Sequence, residues 1–303
     1  MRFNLPVLVY QEKNCVHNHA DEIAQMGKNA LIVTGRNSSK KNGSLDDVIN
    51  ALKSKNIKYT VYDGVEENPS VETVMEAREI GVKAGCDFII GIGGGSPMDA
   101  AKAIGVMIYH KNENKDFLYK SVSNSQSLPV IEVPTTCGTG SEVTTVAVLT
   151  VHNEKTKKSM SHRIFPRMAL VDEKYIKNAP LKVICDTAID ALAHIVESCI
   201  NNNATEYSKM FAKEGLEAWS KFKDVLLGNR EATDEDFHNM MYASTLAGMC
   251  IAHAGTSLPH GLSYPITYEL GIPHGKAVGY FLPGYINEAT DEDKEFVLKA
   301  AGF

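Results

Sequence analysis

Residues 87–92, Asp87-Phe88-Ile89-Ile90-Gly91-Ile92, run straight into Gly93-Gly94-Gly95-Ser96-Pro97-Met98-Asp99, and this junction constrains the chain more than any other stretch. An unbroken apolar run of strand length, rather than an alternating one, is what a strand buried on both faces requires. The glycines after it let backbone amides approach a ligand with no Cβ in the way. A helical pattern over 97–109 follows, with Ser96 suited to cap it, Pro97 to its first turn and Asp99 to its positive end. Strand, glycine loop and helix together make an anion site, most naturally for a pyrophosphate; a tight turn with no ligand is the plainer alternative. The loop is not the dinucleotide fingerprint G-x-G-x-x-G, because the sixth position counted from Gly91 is Ser96.

The surrounding sequence repeats the pattern. Strand-like runs at 30–34, 58–62 and 130–133 alternate with helical patterns at about 44–55 and 71–84. Spacing of this kind implies a parallel α/β sheet with right-handed crossovers. After Asp172 the strand-like runs vanish, and helical patterns follow at about 186–200, 206–221, 234–252 and from Gly275 onward, with Asp186 suited to cap the first. These readings place an α/β nucleotide-binding domain at residues 1–175 and an all-α domain at 176–303.

Two further stretches carry chemistry. Pro134-Thr135-Thr136-Cys137-Gly138-Thr139-Gly140-Ser141-Glu142 follows the last strand-like run. It offers many short donors and acceptors at a sheet's carboxyl edge, where open α/β sheets bind ligands. In the helical half, Asp190 and His194 stand four apart, so a carboxylate and an imidazole share one helix face. His260 and His274 lie in a region punctuated by Gly and Pro, where loops aim side chains inward. Three imidazoles and one carboxylate suit Zn(II) or Fe(II).

Composition excludes several classes. A net charge of −6 argues against nucleic acid or an acidic membrane surface as partner, and no apolar run reaches the ~18 residues of a membrane span. The N-terminus lacks the pattern of a signal peptide, and the six cysteines form no Cys-x-x-Cys, which fits reduced core thiols and a cytoplasmic location.

Taken together, the glycine block 93–99, the block from Pro134 to Glu142, Asp190-x-x-x-His194 and the pair His260 and His274 resemble the iron-dependent (group III) alcohol dehydrogenases, from about residue 5 to the C-terminus. The resemblance implies a dehydroquinate synthase-like fold, an α/β nucleotide domain followed by a helical metal domain. It implies Asp190, His194, His260 and His274 as metal ligands, with Fe(II) ahead of Zn(II). Gly93, Gly94, Gly95, Ser96 and Asp99 would line the diphosphate and ribose. Thr135, Thr136, Thr139 and Ser141 would continue the cofactor wall, and Lys158 would lie near the nicotinamide ribose unless it is only a solvated charge in the run 155–158. The activity implied is hydride transfer between NAD(P)(H) and a short primary alcohol or aldehyde, butanol-dehydrogenase-like, in a homodimer. A glycerol or diol dehydrogenase and a lyase without net redox are the alternatives.

The sequence departs from the family pattern at three places. Where many NAD-using relatives carry Asp after the first strand, this chain has Gly35, followed by Arg36-Asn37-Ser38-Ser39-Lys40-Lys41. Losing a carboxylate at Gly35 and gaining cations and hydroxyls, Arg36 and Ser38 among them, favours the 2′-phosphate of NADP(H). Where many relatives have a histidine four residues after the third ligand, this chain has Tyr264, a poor base at neutral pH but able to stack or pass a proton. Relatives also usually continue well past Phe303, so the helical domain is expected to be truncated.

Overall fold

A computed structural model describes residues 3–303. They divide into two compact units: residues 6–135 with 141–175, and 136–140 with 176–303 and the described residues up to Leu5.

The first unit contains β1 (Leu8–Gln11), β2 (Asn29–Gly35), β3 (Lys58–Val65), β4 (Phe88–Gly93), β5 (Val130–Pro134), β6 (Val148–Val151), β7 (Thr156–Ser159) and β8 (Met168–Val171). Six of these pair in the order β1-β8-β5-β4-β2-β3, every pair parallel, while β6 and β7 form a separate antiparallel hairpin. Its helices are α1 (Cys15–Asn18), α2 (Ala20–Ala24), α3 (Ser38–Lys41), α4 (Ser44–Ser54), α5 (Val71–Ala84) and α6 (Gly95–Tyr109). Side chains alternate across the sheet. Leu31, Val33 and Ile89 pack with Val74 of α5 and Ile104 and Met107 of α6, whereas Ala30, Ile32, Ile90 and Ile92 pack with Val48 and Leu52 of α4. All of β4 is buried, as the unbroken apolar run requires.

The strand order positions a site. From β2 the chain steps outward to β3, then returns to β4 beside β2 and continues the other way to β5. Neighbouring strands β2 and β4 therefore flank the point where the order reverses, where open α/β sheets bind ligands beyond the strands' carboxyl ends. Gly35 ends one of these strands and Gly93 the other.

Two readings of this unit need correction. Strands β1, β8 and the hairpin were not anticipated; each is only four residues long, too short to show a period. Gly94, not Ser96, caps α6, which begins at Gly95. The hydroxyl of Ser96 instead accepts the Asn68 amide proton at 3.0 Å.

The second unit is helical: α7 (Leu181–Ile200), α8 (Glu206–Leu226), α9 (Asp234–Ala254), α10 (Leu258–Leu270), α11 (His274–Gly279), α12 (Leu282–Asn287) and α13 (Asp291–Ala300). Capping boxes at Thr205/Ser208 and Thr233/Asp236 start α8 and α9. Trp219 of α8 ties back to α7 by donating to the Ala188 carbonyl at 2.8 Å. Two expectations fail here. Asp186 is no cap: α7 begins five residues earlier, after Pro180. His260 sits on a helix and not in a loop, because Pro259 falls in the first turn of α10, where a missing N–H costs nothing.

Among the described residues no helix is long and apolar enough to cross a membrane. All six cysteines are free thiols, and burial pushes Cys137 up to about 11, which keeps it unreactive.

Candidate metal centre and nucleotide loops

One face of α7 presents Asp190, His194 and Glu197, at i, i+4 and i+7. Further along the helix, Ser198 and Asn201 donate to the carbonyls of Gly255 and of Ala254 and Gly255, which fixes the corner between α9 and α10. That corner sets the start of α10 and so brings His260 back over Asp190. Helix α11 delivers His274 by a very close approach. A Cβ on Gly275 would collide with the Asp186 carbonyl oxygen, so only glycine lets α11 come this near α7.

The result is a group in which one donor atom from each of Asp190, His260 and His274 lies within 4.8 Å of the others. The Nε2 atoms of His260, His274 and His194 stand 3.3, 3.8 and 3.9 Å from Asp190 Oδ1. Ligand atoms about 2.1 Å from one ion lie about 3.4 Å from each other in a tetrahedral shell, so these spacings are close to what a shared ion needs. His194 is the outlying member. Its ring stacks on His260, with centroids 4.4 Å apart, and it falls outside the tight group of three.

Hydrogen bonds outside the group decide which nitrogen of each ring faces in. His194 Nδ1 lies 3.2 Å from the Gly138 carbonyl, and His260 Nδ1 lies 2.5 Å from Glu197 Oε1. Both oxygens only accept, so both rings donate from Nδ1. The Ser263 hydroxyl spends its proton on the His260 carbonyl at 2.7 Å, leaving its oxygen to accept from His274 Nδ1 at 3.4 Å. Each ring thus holds its Nδ1 proton outward and turns Nε2 toward Asp190, the arrangement by which protein histidines hold metals.

Two atoms at the centre are orphaned. Asp190 Oδ1 and His260 Nε2 are buried and neither has a hydrogen-bond partner among the described residues. Burial would drive the Asp190 carboxyl up, but His194 and the other two rings outweigh it and hold it well below the usual carboxylate range. An ionised, 3% exposed carboxylate carries a penalty of several kcal/mol unless a cation stands beside it, either a protonated His260 ring at 3.3 Å or an ion that takes that proton's place. Burial lowers His194, while in His260 the carboxylates Glu197 and Asp190 overcome burial and raise the ring to about 9; a bound cation would displace that proton. The donor set therefore fits Fe(II) or Zn(II). The His274 side chain, 28% exposed, marks the open side of the group. Tyr264 lies there too, its ring stacked on His274 at 5.8 Å.

The loops of the first unit are tied together at the carboxyl edge of the sheet. Thr135 N donates to the Gly93 carbonyl at 2.8 Å, and Thr34 Oγ1 donates to the Ile92 carbonyl at 2.8 Å. Gly94, Gly95 and Ser96 are partly exposed, while Thr135 is buried with an unpartnered hydroxyl. Asp99 is spent internally: one oxygen accepts from Ser141 Oγ at 2.6 Å and the other from Val148 N at 2.8 Å. Lys102, which sequence reasoning missed, joins the same group. Its ammonium is fully buried and donates to Ser141 O, Ser141 Oγ, Thr144 Oγ1 and Val146 O.

The rest of the expected cofactor residues scatter. Thr136 and Thr139 belong to the segment 136–140 that groups with the helical unit, where a Cβ on Gly140 would lie 2.5 Å from Gly248 of α9. Lys158 sits on β7 with its ammonium 3.3 Å from Glu154 and over the Tyr119 ring, the pairing of a surface charge. Arg36, Ser38, Lys40 and Lys41 are exposed beside Gly35, and Lys40 is already paired with Asp63 at 2.5 Å.

Comparison with known proteins matches residues 6–173 to a family described as iron-containing alcohol dehydrogenase and residues 184–301 to the C-terminal part of the Fe-containing alcohol dehydrogenase family. A long-chain primary alcohol dehydrogenase of Thermoanaerobacter ethanolicus is 32% identical over 85% of this chain and 65% of its own length. An NADPH-dependent butanol dehydrogenase of Clostridium saccharobutylicum is 32% identical over 99% of this chain and 77% of its own. An iron-containing alcohol dehydrogenase structure from Thermotoga maritima superposes with a TM-score of 0.93 at 39% identity, covering 99% of this chain and 83% of that one.

Proposed function

This chain belongs to the iron-containing alcohol dehydrogenase family, and from that premise we propose that it exchanges hydride between NADP(H) and a short-chain primary alcohol or aldehyde at a divalent metal held by Asp190, His194, His260 and His274. The observation that carries this reading is the set of three rings with Nδ1 held outward around a buried, orphaned carboxylate oxygen. When bound, the ion supplies a Lewis acid for the substrate oxygen, and the nicotinamide supplies or accepts the hydride.

The chain's own residues do the positioning. Asp190 and the three rings would hold the ion, and each side chain but His274 is almost wholly buried. Tyr264, stacked on His274, forms part of the wall, and no side chain is assigned the role of general base. The amides of Gly93 to Ser96 at the start of α6 suit a diphosphate. Exposed Arg36, Ser38 and Lys41 beside Gly35 suit a 2′-phosphate, and one relative is named for NADPH.

The test is anaerobic loading with Fe(II), followed by NADPH and NADH oxidation with butanal, decanal and 3-hydroxypropanal. Chelator-sensitive loss of NADPH, faster than of NADH, with butanal turned over best, is the expected result. A higher kcat/KM with NADH would overturn the cofactor preference, and turnover confined to the hydroxyaldehyde would favour a diol dehydrogenase.

A further inference from the structure

We propose that Glu197 is the positioning residue of this metal site: its carboxylate holds both the ring and the backbone of His260 and supplies the second negative charge that balances a divalent ion. The inference rests on the metal reading above and deepens it. Glu197 is 0% exposed, and a buried carboxylate persists only if its oxygens are paired. Here each oxygen has its own donor: Oε1 takes the His260 Nδ1 proton at 2.5 Å, and Oε2 takes the Ser257 amide proton at 2.6 Å.

Those two donors belong to one rigid piece. Ser257 is the residue before α10, and His260 is in the first turn of that helix. The carboxylate therefore fixes where the helix starts and which way its ring is turned. Without it, a half-turn of the ring about Cβ–Cγ would put Cε1 where Nε2 now faces Asp190. Of the three Nδ1 partners, Glu197 is the charged one: His194 leans on the Gly138 carbonyl at 3.2 Å and His274 on the Ser263 hydroxyl at 3.4 Å, both longer contacts.

The charge count gives a second consequence. Three neutral rings with Asp190 carry one negative charge, so an ion of charge two would leave the buried group positive. Glu197 brings the total to zero, which favours a divalent ion over a trivalent one in surroundings that penalise net charge.

The test is retention of Co(II) and Zn(II), measured by chelator competition and by the Co(II) visible spectrum, in wild type, Glu197→Gln, Glu197→Asp and Asp190→Asn. An amide can accept from only one of the two donors and lacks the charge, so Glu197→Gln should hold the ion about 10–100-fold more weakly, with a shifted Co(II) spectrum. Glu197→Asp, which keeps the charge, should recover part of the loss. Retention within twofold of wild type and an unchanged spectrum for Glu197→Gln would overturn the inference while leaving the metal site standing, provided Asp190→Asn loses the ion. If wild type itself binds no ion, the metal reading fails instead. Should Glu197→Gln not fold, proton NMR of the zinc-loaded wild type decides: a far-downfield, exchange-protected Nδ1 proton on His260 is expected, and its absence would overturn the inference.

Discussion

One buried polar cluster under the glycine loop and another around Asp190, one in each compact unit, differ in whether the chain completes them. Under the glycine loop, Lys102 shares its protons among four oxygens of the segment 141–146, and Asp99 accepts two hydrogen bonds from Ser141 and Val148. Around Asp190, the rings send their Nδ1 protons outward and leave Asp190 Oδ1 and His260 Nε2 buried without partners among the described residues. A buried polar group without a partner is costly, so chains close such clusters wherever they serve only the fold. The first cluster is closed and braces a loop. The second is left open at its centre, where the proposed metal would sit.

The comparison breaks first at Asp190. Asp190→Asn keeps the shape and removes the charge, and it should weaken metal retention by more than the ~100-fold that outer partners reach. Chelator competition measures this, alongside the urea midpoint of the metal-free protein. A variant that kept the ion but lost stability would move Asp190 into the same class as Lys102. Lys102→Met should do the opposite. It strips a buried cation from Asp99 and takes the Lys102 donor from the Val146 carbonyl, so unfolding free energy should fall by about 3–5 kcal/mol while metal affinity stays within twofold. Unchanged stability with a lost ion would show that the closed cluster is no brace.

The same contrast explains what the sequence disclosed. Strand β4 and helices α5 and α9 were legible because burial on both sheet faces and helical spacing act locally on residues 88–93, 71–84 and 234–254. Asp190 and His194 were legible as a pair one turn apart. His260 was placed as a residue but not as a helix, since Pro259 and Pro265 read as punctuation until the first-turn position of Pro259 is known. Glu197 and Lys102 were missed, although each is a lone charge inside an apolar helical run, Ile195-Val196-Glu197-Ser198-Cys199 and Ala100-Ala101-Lys102-Ala103-Ile104. Such a charge must find a partner, but which one is set by tertiary contacts 63 and 39 residues away.

The smallest expected effect tests whether the closed cluster is truly closed. Glu132 of β5 lies opposite Gly91 of β4, fully buried, and neither of its carboxyl oxygens has a hydrogen-bond partner among the described residues. Burial raises its pKa well above the usual range, and the attraction of Lys102 does not offset it. A protonated acid brings no charge that needs a partner, which is how Lys102 and Asp99 can be complete without it. The sign follows from linkage. Below the unfolded value of 4.5 both states hold the proton and wild type has its full stability; as pH rises, the unfolded chain releases the proton while the fold keeps it, so stability falls. Glu132→Gln has no such proton. Between pH 4.5 and pH 6 it should therefore gain at most about 2 kcal/mol on wild type in urea unfolding. A difference that stays flat over this range would mean that Glu132 is ionised in the fold, with Lys102 neutralising it, and the cluster under the glycine loop would then hold an unsatisfied charge of its own, as the one around Asp190 does.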